Sequence, residues 1–280
     1  MKIKDVLRET RSKIASKGIH DADLEGEVLV MHSLSMGRAQ LYVHLEEEYS
    51  EEPKTIQAML ARRLAGDPLA YIIGQREFYA TPIQVNSNVL IPRQETELLV
   101  DITLELARGS YKEGATIADV GTGSGAIAIA LAVNLPNATI YATDISYEAL
   151  QTAKANIGRH KLHDRVRLLR GDLLTPLPER VDIVAANLPY IPTEEISTLA
   201  PEIHKEPQIA LDGGTNGVEV ITRLLRQAPD HLKLDSALIL EIDPRQKDLV
   251  VEIAQEVFSN AEVSVAKDFA GLDRVVLIRR

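Results

Sequence analysis

The chain has 280 residues, a formal net charge of −10 and 45% hydrophobic residues. We expect two domains, because this length exceeds one average domain and the apolar content can form a large core. The absence of cysteine excludes disulfides, thiolate zinc sites and a cysteine nucleophile. The negative charge argues against broad binding to a phosphate backbone, and an aromatic content of 4% leaves few rings for stacking bases.

The sequence starts with the charged segment Met1-Lys2-Ile3-Lys4-Asp5, and its longest apolar run covers residues 126–133. This run is far too short to cross a bilayer, which takes about 20 apolar residues. We therefore expect a cytoplasmic protein that does not associate with membranes.

The first part of the chain has the spacing of a small helical bundle. Apolar residues recur at helical intervals in residues 3–17 and 21–35, and Gly18 and Gly37 stand where these helices would stop. Two further helices are predicted over residues 38–44 and 52–65. The acidic stretches Glu46-Glu47-Glu48 and Glu51-Glu52 are typical of solvated connections between helices. The first predicted domain covers residues 1–74.

The pattern changes between Leu69 and Pro92, where β-branched and aromatic residues dominate. Turn signals at Thr81-Pro82 and Asn86-Ser87-Asn88 interrupt this stretch, so it predicts a β-hairpin that joins two domains. We place the linking hairpin at residues 75–92. A helix is predicted to follow, from about residue 92 to residue 107, and the second domain covers residues 93–280.

From Thr116 onwards the chain alternates between strands and helices. The predicted strands are residues 116–120, 139–143, 166–170, 181–186, 237–242, 262–267 and 274–278. Such alternation predicts an α/β fold with a doubly wound, mostly parallel, Rossmann-like sheet of seven strands. The last two strands have no helix between them, so we expect an antiparallel hairpin at one edge of the sheet.

A glycine-rich turn, Gly121-Thr122-Gly123-Ser124-Gly125, joins the first of these strands to a helix. Its glycines allow tight backbone conformations, and the helix N-terminus offers free N–H groups to a ligand. Asp144 ends the next strand, where its carboxylate would meet ribose hydroxyls. The pattern predicts a nucleoside-containing cofactor, although with Ala126 in the last place it also fits a dinucleotide fold.

Three features favour S-adenosylmethionine over a nicotinamide dinucleotide. The loop has a third glycine one position early, and Asp119 precedes the loop inside the strand. Asp172 follows the third strand, where its carboxylate could accept a hydrogen bond from an adenine amino group. Ile145 directly follows Asp144, and Leu173 directly follows Asp172. We assign both residues to the same cofactor site.

The fourth strand ends abruptly in Asn187-Leu188-Pro189-Tyr190. Pro189 must end the ladder because it has no N–H, and ligands of open α/β sheets bind at the carboxyl ends of the strands. The Asn187 side-chain oxygen and a backbone carbonyl could accept two hydrogen bonds from one planar NH2 group, with the Tyr190 ring packed alongside. This arrangement suits a carboxamide and an adenine equally well.

The sequence resembles the class I methyltransferases that modify planar NH2 groups, and more closely the bacterial protein-(glutamine-N5) methyltransferases that act on peptide chain release factors. The resemblance covers essentially the whole chain. Besides the two motifs above, it is carried by residues 62–74, 77–79, 90–97, 206–207, 210–217, 241–242, 268–269 and 273–274.

This resemblance implies a methyl transfer from S-adenosylmethionine to the glutamine of the Gly-Gly-Gln motif in release factors. It implies that Asn187, Pro189 and Tyr190 are catalytic, that Asn187 also borders the cofactor, and that Leu188 contributes its carbonyl to the substrate site. Arg93 and Glu95 are implied at the substrate entrance, and residues 1–74 as a substrate-recognition domain. We expect a protein partner, no direct contact with nucleic acid, and a monomer.

Two positions depart from the family pattern. Leu188 stands where the family usually has proline, and Asp243 stands where it usually has glycine. The Asn-Leu-Pro-Tyr form also occurs in rRNA adenine dimethylases, which keeps an adenine-N6 methyltransferase of RNA or DNA as an alternative. A glutamine methyltransferase of a ribosomal protein and a catalytically idle binding domain are further alternatives. His160 and His163 are spaced as metal ligands can be, but they suit a solvated helix end better, so we expect no metal.

Overall fold

The computed structural model describes residues 1–50, 53–111 and 114–280. The acidic pair Glu51-Glu52, and with it the predicted start of the fourth helix, lies outside the described residues. The chain divides into two compact units. One unit consists of Met1–Gly74 with Pro201–Lys205, and the other of Gln75–Ala200 with Glu206–Arg280.

The smaller unit is helical. Its helices are α1 (Ile3–Ala15), α2 (Ala22–Leu34), α3 (Arg38–Val43), α4 (Pro53–Leu64) and α5 (Leu69–Ile73). Helix α1 is amphipathic, and residues at helical spacing face the core of the unit: Ile3, Val6, Leu7, Thr10 and Ile14. They pack with the buried side chains of α2 and α4, which include Leu29, Val30, Ile56 and Leu60.

The β-structure predicted for Tyr71-Ile72-Ile73-Gly74 is wrong, because this stretch forms helix α5. The Pro68 carbonyl accepts hydrogen bonds from the N–H groups of Tyr71 (3.0 Å) and Ile72 (3.2 Å), which closes a helical turn. Gly74 then ends the helix in the left-handed conformation, at φ +75°. Burial of Ile72 in the helical core outweighs the β-propensity of its branched side chain.

An ionic cluster explains why Pro201–Lys205 belongs to the helical unit. The Arg63 side chain is only 6% exposed and lies 2.6 Å from a Glu25 carboxylate oxygen and 3.1 Å from one of Glu202. A second pair joins Lys205 to Asp67 at 3.6 Å. Nothing in the local pattern of residues 201–205 indicates this association.

In the larger unit, the predicted hairpin is present as β1 (Gln75–Phe78) and β2 (Thr81–Gln84). It is shorter than the predicted range of 75–92, because residues 85–92 form no strand. Its turn falls at Tyr79 and Ala80, whose φ values of +49° and +53° fit a two-residue turn of the hairpin-forming kind. The predicted turn signal Thr81-Pro82 instead lies inside β2. Proline is tolerated there because this sheet has only two strands, so both are edges.

The seven-stranded sheet confirms the predicted fold class. Its strands are β3 (Thr116–Val120), β4 (Thr139–Asp144), β5 (Val166–Arg170), β6 (Val181–Ala186), β7 (Leu232–Glu241), β8 (Glu262–Lys267) and β9 (Asp273–Arg279). The order across the sheet is β5-β4-β3-β6-β7-β9-β8. Strands β3 to β7 pair in parallel, and β9 pairs antiparallel with β7 and β8, which gives the expected edge hairpin.

The helices of this unit are α6 (Glu97–Ser110), α7 (Ala126–Asn134), α8 (Tyr147–Arg159), α9 (Glu219–His231) and α10 (Lys247–Val257). Alternate residues of the central strands, such as Val120, Ala186 and Leu240, pack with Leu224 of α9 and Val250 of α10. Because successive side chains of a strand point to opposite faces, the intervening residues face the other layer.

The register of the sheet sets the position of the candidate site. Val120 pairs with Thr143 on one side and with Ala186 on the other. The residues that follow these three positions therefore emerge side by side at the carboxyl edge of the parallel strands.

Candidate active site

A cavity of about 230 Å³ lies at this edge. Nine of the residues predicted from sequence line it: Gly121, Gly123, Asp144, Ile145, Asp172, Leu173, Asn187, Leu188 and Pro189. Further residues that were not assigned to the site from sequence also line it, among them Asn88, Pro207, Ile209, Ala210, Val220 and Arg223. The loops after four parallel strands thus converge on one space.

The glycine loop is held by the neighbouring strand. The N–H groups of Gly121 and Thr122 both donate to the Thr143 carbonyl at 2.9 Å, and Gly123 N–H donates to Asp144 Oδ2 at 2.9 Å. Gly125 ends the loop with φ +82°, immediately before α7. These bonds hold the loop against strand β4 beside the cavity.

Asp119 lies behind the loop and does not line the cavity. Its Oδ2 accepts from the Thr122 hydroxyl at 2.6 Å and from Ala128 N–H at 3.0 Å, which joins β3, the loop and α7. Complete burial raises the pKa of Asp119 to about 7, although both hydrogen bonds oppose the rise. Within the described part of the chain, its Oδ1 has no hydrogen-bond partner. Thr122 and Ser124 are also buried.

Asp144 lines the cavity with its carboxylate fixed from two sides. Oδ2 accepts from Gly123 N–H, and Oδ1 accepts from Ser146 N–H at 2.8 Å. Burial raises the pKa of this carboxyl group, and these backbone donors oppose the rise. Ile145, the next residue, exposes 53% of its surface beside the cavity. An acceptor and an apolar side chain thus stand next to each other.

Asp172 also lines the cavity, but it already has a charged partner. The Arg223 guanidinium donates to Asp172 Oδ2, and the Gln227 amide is 3.5 Å from the same oxygen. An amino group in the cavity would therefore share this carboxylate with Arg223.

The Asn187 side chain lies between the cavity and a buried threonine. Its Nδ2 donates to Thr96 Oγ1 at 2.9 Å. Leu188 is buried, and its Cδ2 lies close to Gly121. The glycine loop and the segment that contains Asn187 are therefore in direct contact.

Tyr190 points away from the cavity into the sheet unit. Its hydroxyl lies 3.4 Å from Glu241 Oε1, and its ring packs against the core. The Tyr190 carbonyl accepts from Gln246 Nε2 at 2.7 Å, which fixes the backbone after Pro189. Burial raises the pKa of the Tyr190 hydroxyl. Direct contact of its ring with a substrate stays a prediction.

Arg93 lies near the cavity wall without lining it. Its guanidinium donates to Glu206, a buried carboxylate that also accepts from Ile91 N–H at 3.0 Å. Pro207, the next residue, lines the cavity. Glu95 is exposed on the short 3₁₀ turn Gln94–Thr96.

Asp243, one of the two departures from the family pattern, caps the turn before α10. Its Oδ1 accepts from Arg245 N–H at 2.9 Å. The Arg245 guanidinium also lies 2.9 Å from Glu195, so it bridges two carboxylates. The aspartate thus has a local structural role.

Residues 5–74 match the family model of the PrmC N-terminal domain, and residues 100–215 match that of ribosomal protein L11 methyltransferase (PrmA). Over 282 residues the chain is 41% identical to a release factor glutamine methyltransferase from Moorella thermoacetica, covering 100% of this chain and 99% of that protein. The chain belongs to the release factor glutamine methyltransferase family. This confirms the resemblance inferred from the motifs.

A second release factor glutamine methyltransferase, from Rhodopirellula baltica, is 36% identical over 281 residues, covering 98% of this chain and 95% of that protein. Among solved structures, the ribosomal protein L11 methylase from Lactobacillus delbrueckii subsp. bulgaricus has a TM-score of 0.52 at 24% identity. The match covers 71% of this chain and 84% of that one, and it shows a shared fold. As a family member, the chain is a methyltransferase.

Two negative findings concern only the residues that the structure describes. None of their helices has the length and apolar character that crossing a membrane requires. They also contain no group of three or more His, Asp or Glu side chains placed to hold a metal ion. The His160 ring instead contacts the Pro82 carbonyl at 3.0 Å.

Proposed function

We propose that this enzyme transfers a methyl group from S-adenosylmethionine to the side-chain amide nitrogen of a glutamine, the one in the Gly-Gly-Gln motif of peptide chain release factors. The observation that carries the proposal is the position of Asn187, which follows a central strand and lines the same cavity as the glycine loop and Asp144. Full-length similarity to release factor glutamine methyltransferases supports the choice of substrate.

The cavity fits the proposed methyl donor. Asp144 would accept hydrogen bonds from the ribose hydroxyls, Ile145 and Leu173 would flank the adenine, and Asp172 would accept a hydrogen bond from the adenine amino group. The glycine loop, from Gly121 to Gly125, allows the methionine part to approach the backbone. Asp119, Thr122 and Ser124 support this loop from behind, as their burial indicates. When bound, S-adenosylmethionine supplies an electrophilic methyl group.

The residues around Asn187 orient the nucleophile. A carboxamide nitrogen is weakly nucleophilic because its lone pair is delocalised, so alignment and electrostatic stabilisation carry the rate rather than a strong base. Asn187 Oδ1 and the Leu188 carbonyl accept hydrogen bonds from the two N–H groups of the substrate amide. These bonds direct the amide nitrogen towards the methyl group. Pro189 and Tyr190 fix the turn that presents these acceptors.

The remaining roles are also proposals. Residues 1–74 form a domain that recognises the release factor, residues 75–92 connect it to the methyltransferase domain at 93–280, and Arg93 and Glu95 border the entrance for the substrate. The enzyme acts as a monomer in the cytoplasm on a protein, without direct contact with nucleic acid.

The test uses labelled S-adenosylmethionine with a release factor and, in a separate reaction, rRNA. The methyl group is then located by mass spectrometry. We expect label on the Gly-Gly-Gln glutamine and none on RNA. Label on adenine but not on this glutamine would overturn the proposal in favour of adenine-N6 methylation, the alternative that Leu188 supports.

The variant Asn187→Ala is expected to lose methyl transfer by at least about 100-fold while it keeps cofactor affinity within about threefold. The control is Asn134→Ala, since Asn134 Nδ2 only donates to the Ala130 carbonyl of its own helix. Turnover of Asn187→Ala close to that of the control would exclude Asn187 from catalysis.

A further inference from the structure

Arg223 is a charged residue in the cavity wall to which the proposed function assigns no role. It lies on helix α9, and its guanidinium donates to Asp172 Oδ2, although 51 positions separate the two residues in the chain. Both side chains line the cavity. The pair is therefore part of the surface that a bound cofactor would meet.

Helix α9 contacts the Asp172 carboxylate through one oxygen only. Gln227, one turn after Arg223, has its Nε2 3.5 Å from the same Oδ2, and its Oε1 accepts from Leu174 N–H at 3.1 Å. Residues four apart lie on the same face of a helix, so both side chains reach the segment after β5 from one side. Within the described residues, no group donates to Asp172 Oδ1, so this oxygen is available to a ligand.

Arg223 likewise uses only part of its capacity for hydrogen bonds. A guanidinium has five N–H donors on three nitrogens. In the part of the chain that the structure describes, Arg223 donates from Nη2 alone, to Asp172. Its side chain is 54% exposed, which leaves the N–H groups of Nε and Nη1 for a ligand. The pair thus offers an acceptor and a donor side by side.

An acceptor beside a donor is complementary to the amino edge of adenine. The exocyclic amino group of adenine donates, and the ring nitrogens on its two sides, N1 and N7, accept. Hypoxanthine has an oxygen acceptor in place of the amino group and a proton on N1, so its oxygen would face the Asp172 carboxylate. The base is attached to the ribose, which limits its freedom to slide along the pair and exchange partners.

We propose that Arg223 is a cofactor-binding residue that recognises adenine together with Asp172. The carboxylate accepts from the amino group, and the guanidinium donates to one of the two ring nitrogens beside it. The inference rests on the cofactor part of the proposed function and is independent of which group is methylated. The pair selects an adenine nucleoside against a 6-oxopurine nucleoside, because only adenine matches both partners.

The experiment measures by calorimetry the binding of S-adenosylhomocysteine, the product form of the cofactor, without release factor. Its 1-deaza, 7-deaza and hypoxanthine analogues are measured in the same way. Each deaza analogue replaces one ring nitrogen by C–H and so removes one acceptor. Wild type is compared with Arg223→Ala. The matched control is Arg226→Ala, which removes the same charge from an exposed position on the same helix.

We expect wild type to bind one of the two deaza analogues about tenfold more weakly than S-adenosylhomocysteine, and the hypoxanthine analogue about 100-fold more weakly. In Arg223→Ala, the affinity for S-adenosylhomocysteine should fall about tenfold, and the penalty for that deaza analogue should disappear. A double-mutant cycle gives this result when the two groups are in direct contact. Arg226→Ala should match wild type with all four ligands.

Equal penalties in wild type and Arg223→Ala for both deaza analogues would overturn the inference. Because these penalties compare ligands on one protein, a change in the stability of the variant does not produce them. If wild type did not bind S-adenosylhomocysteine, the cofactor assignment would fail together with the inference. Binding by wild type with unchanged penalties in the variant would overturn the role of Arg223 alone.

Discussion

At the scale of single residues, Gly121 connects the glycine loop with the segment that contains Asn187 and Leu188. Its φ of +74° lies in the left-handed region, and an added Cβ would lie 3.0 Å from Leu188 Cδ2 and 3.7 Å from the Asn187 carbonyl. Leu188, which stands where the family usually has proline, therefore packs against the glycine loop. The sequence identifies both residues as unusual, but it cannot show that they touch, since 67 positions separate them (188 − 121).

Gly121→Ala is expected to lower the free energy of unfolding by about 1–2 kcal/mol, because a left-handed conformation is strained for an L-residue. Cofactor affinity should fall as well, since the loop must shift away from Leu188. Denaturant unfolding and calorimetry measure both effects.

Gly109→Ala is the matched control, because Gly109 lies inside α6 and nothing is within 4 Å of its added Cβ. In that variant the free energy of unfolding should rise by up to about 1 kcal/mol. Equal stability changes in the two variants would contradict the role assigned to the Gly121 conformation.

Helix α8 provides the main example at the scale of elements. Asn156 on this helix is fully buried, and its Oδ1 accepts from Gln84 N–H at 2.8 Å. Its Nδ2 donates at 2.9 Å both to the Gln84 carbonyl and to the Ser124 carbonyl. One side chain thus holds strand β2 of the hairpin and the glycine loop at fixed positions.

Asn156→Ala is expected to destabilise the protein by about 3 kcal/mol, because one buried and two partly buried backbone groups would lose their partner. Asn134→Ala, which removes one half-buried bond, should cost under about 1 kcal/mol. Urea unfolding of both variants gives the comparison. Similar losses in the two proteins would show that Asn156 does not link the elements.

Local patterns account for most elements but not for their contacts. The strands and helices of the sheet unit follow from hydrophobic periodicity and from turn residues, which act over a few positions. Helix α5 differs from its predicted strand because Ile72 is buried by partners distant in sequence. For the same reason the hydrogen bond from Asn187 to Thr96 could not be predicted.

Ionisation of buried carboxyl groups shapes the stability of the whole molecule. An unfolded aspartate has a pKa of about 3.9, whereas burial raises that of Asp119 to about 7. Between these values the folded state holds a proton that the unfolded chain has released, so this contribution to stability is lost as pH rises. Asp243 and Asp268 have lowered pKa values in the folded state. Their contribution to stability therefore has the opposite pH dependence and is lost as the pH falls.

Asp119→Asn should therefore gain stability relative to wild type by a few kcal/mol as pH increases from about 4 to about 8, because an amide does not ionise. Thermal unfolding without ligand at several pH values measures this difference. The exposed Asp164→Asn variant, measured at the same pH values, is the control. A pH-independent difference for Asp119→Asn would mean that the carboxyl group does not titrate in this range.

The five residues Pro201–Lys205 give the molecule an unusual order of assembly. They belong to the helical unit, although 126 residues of the other unit (Gln75–Ala200) separate them from its first part. During synthesis from the N-terminus, the helical unit cannot complete its contacts until residue 205 has left the ribosome. Folding of the helical unit thus finishes only after most of the other unit has been synthesised. The two units therefore cannot fold one after the other in the order of synthesis.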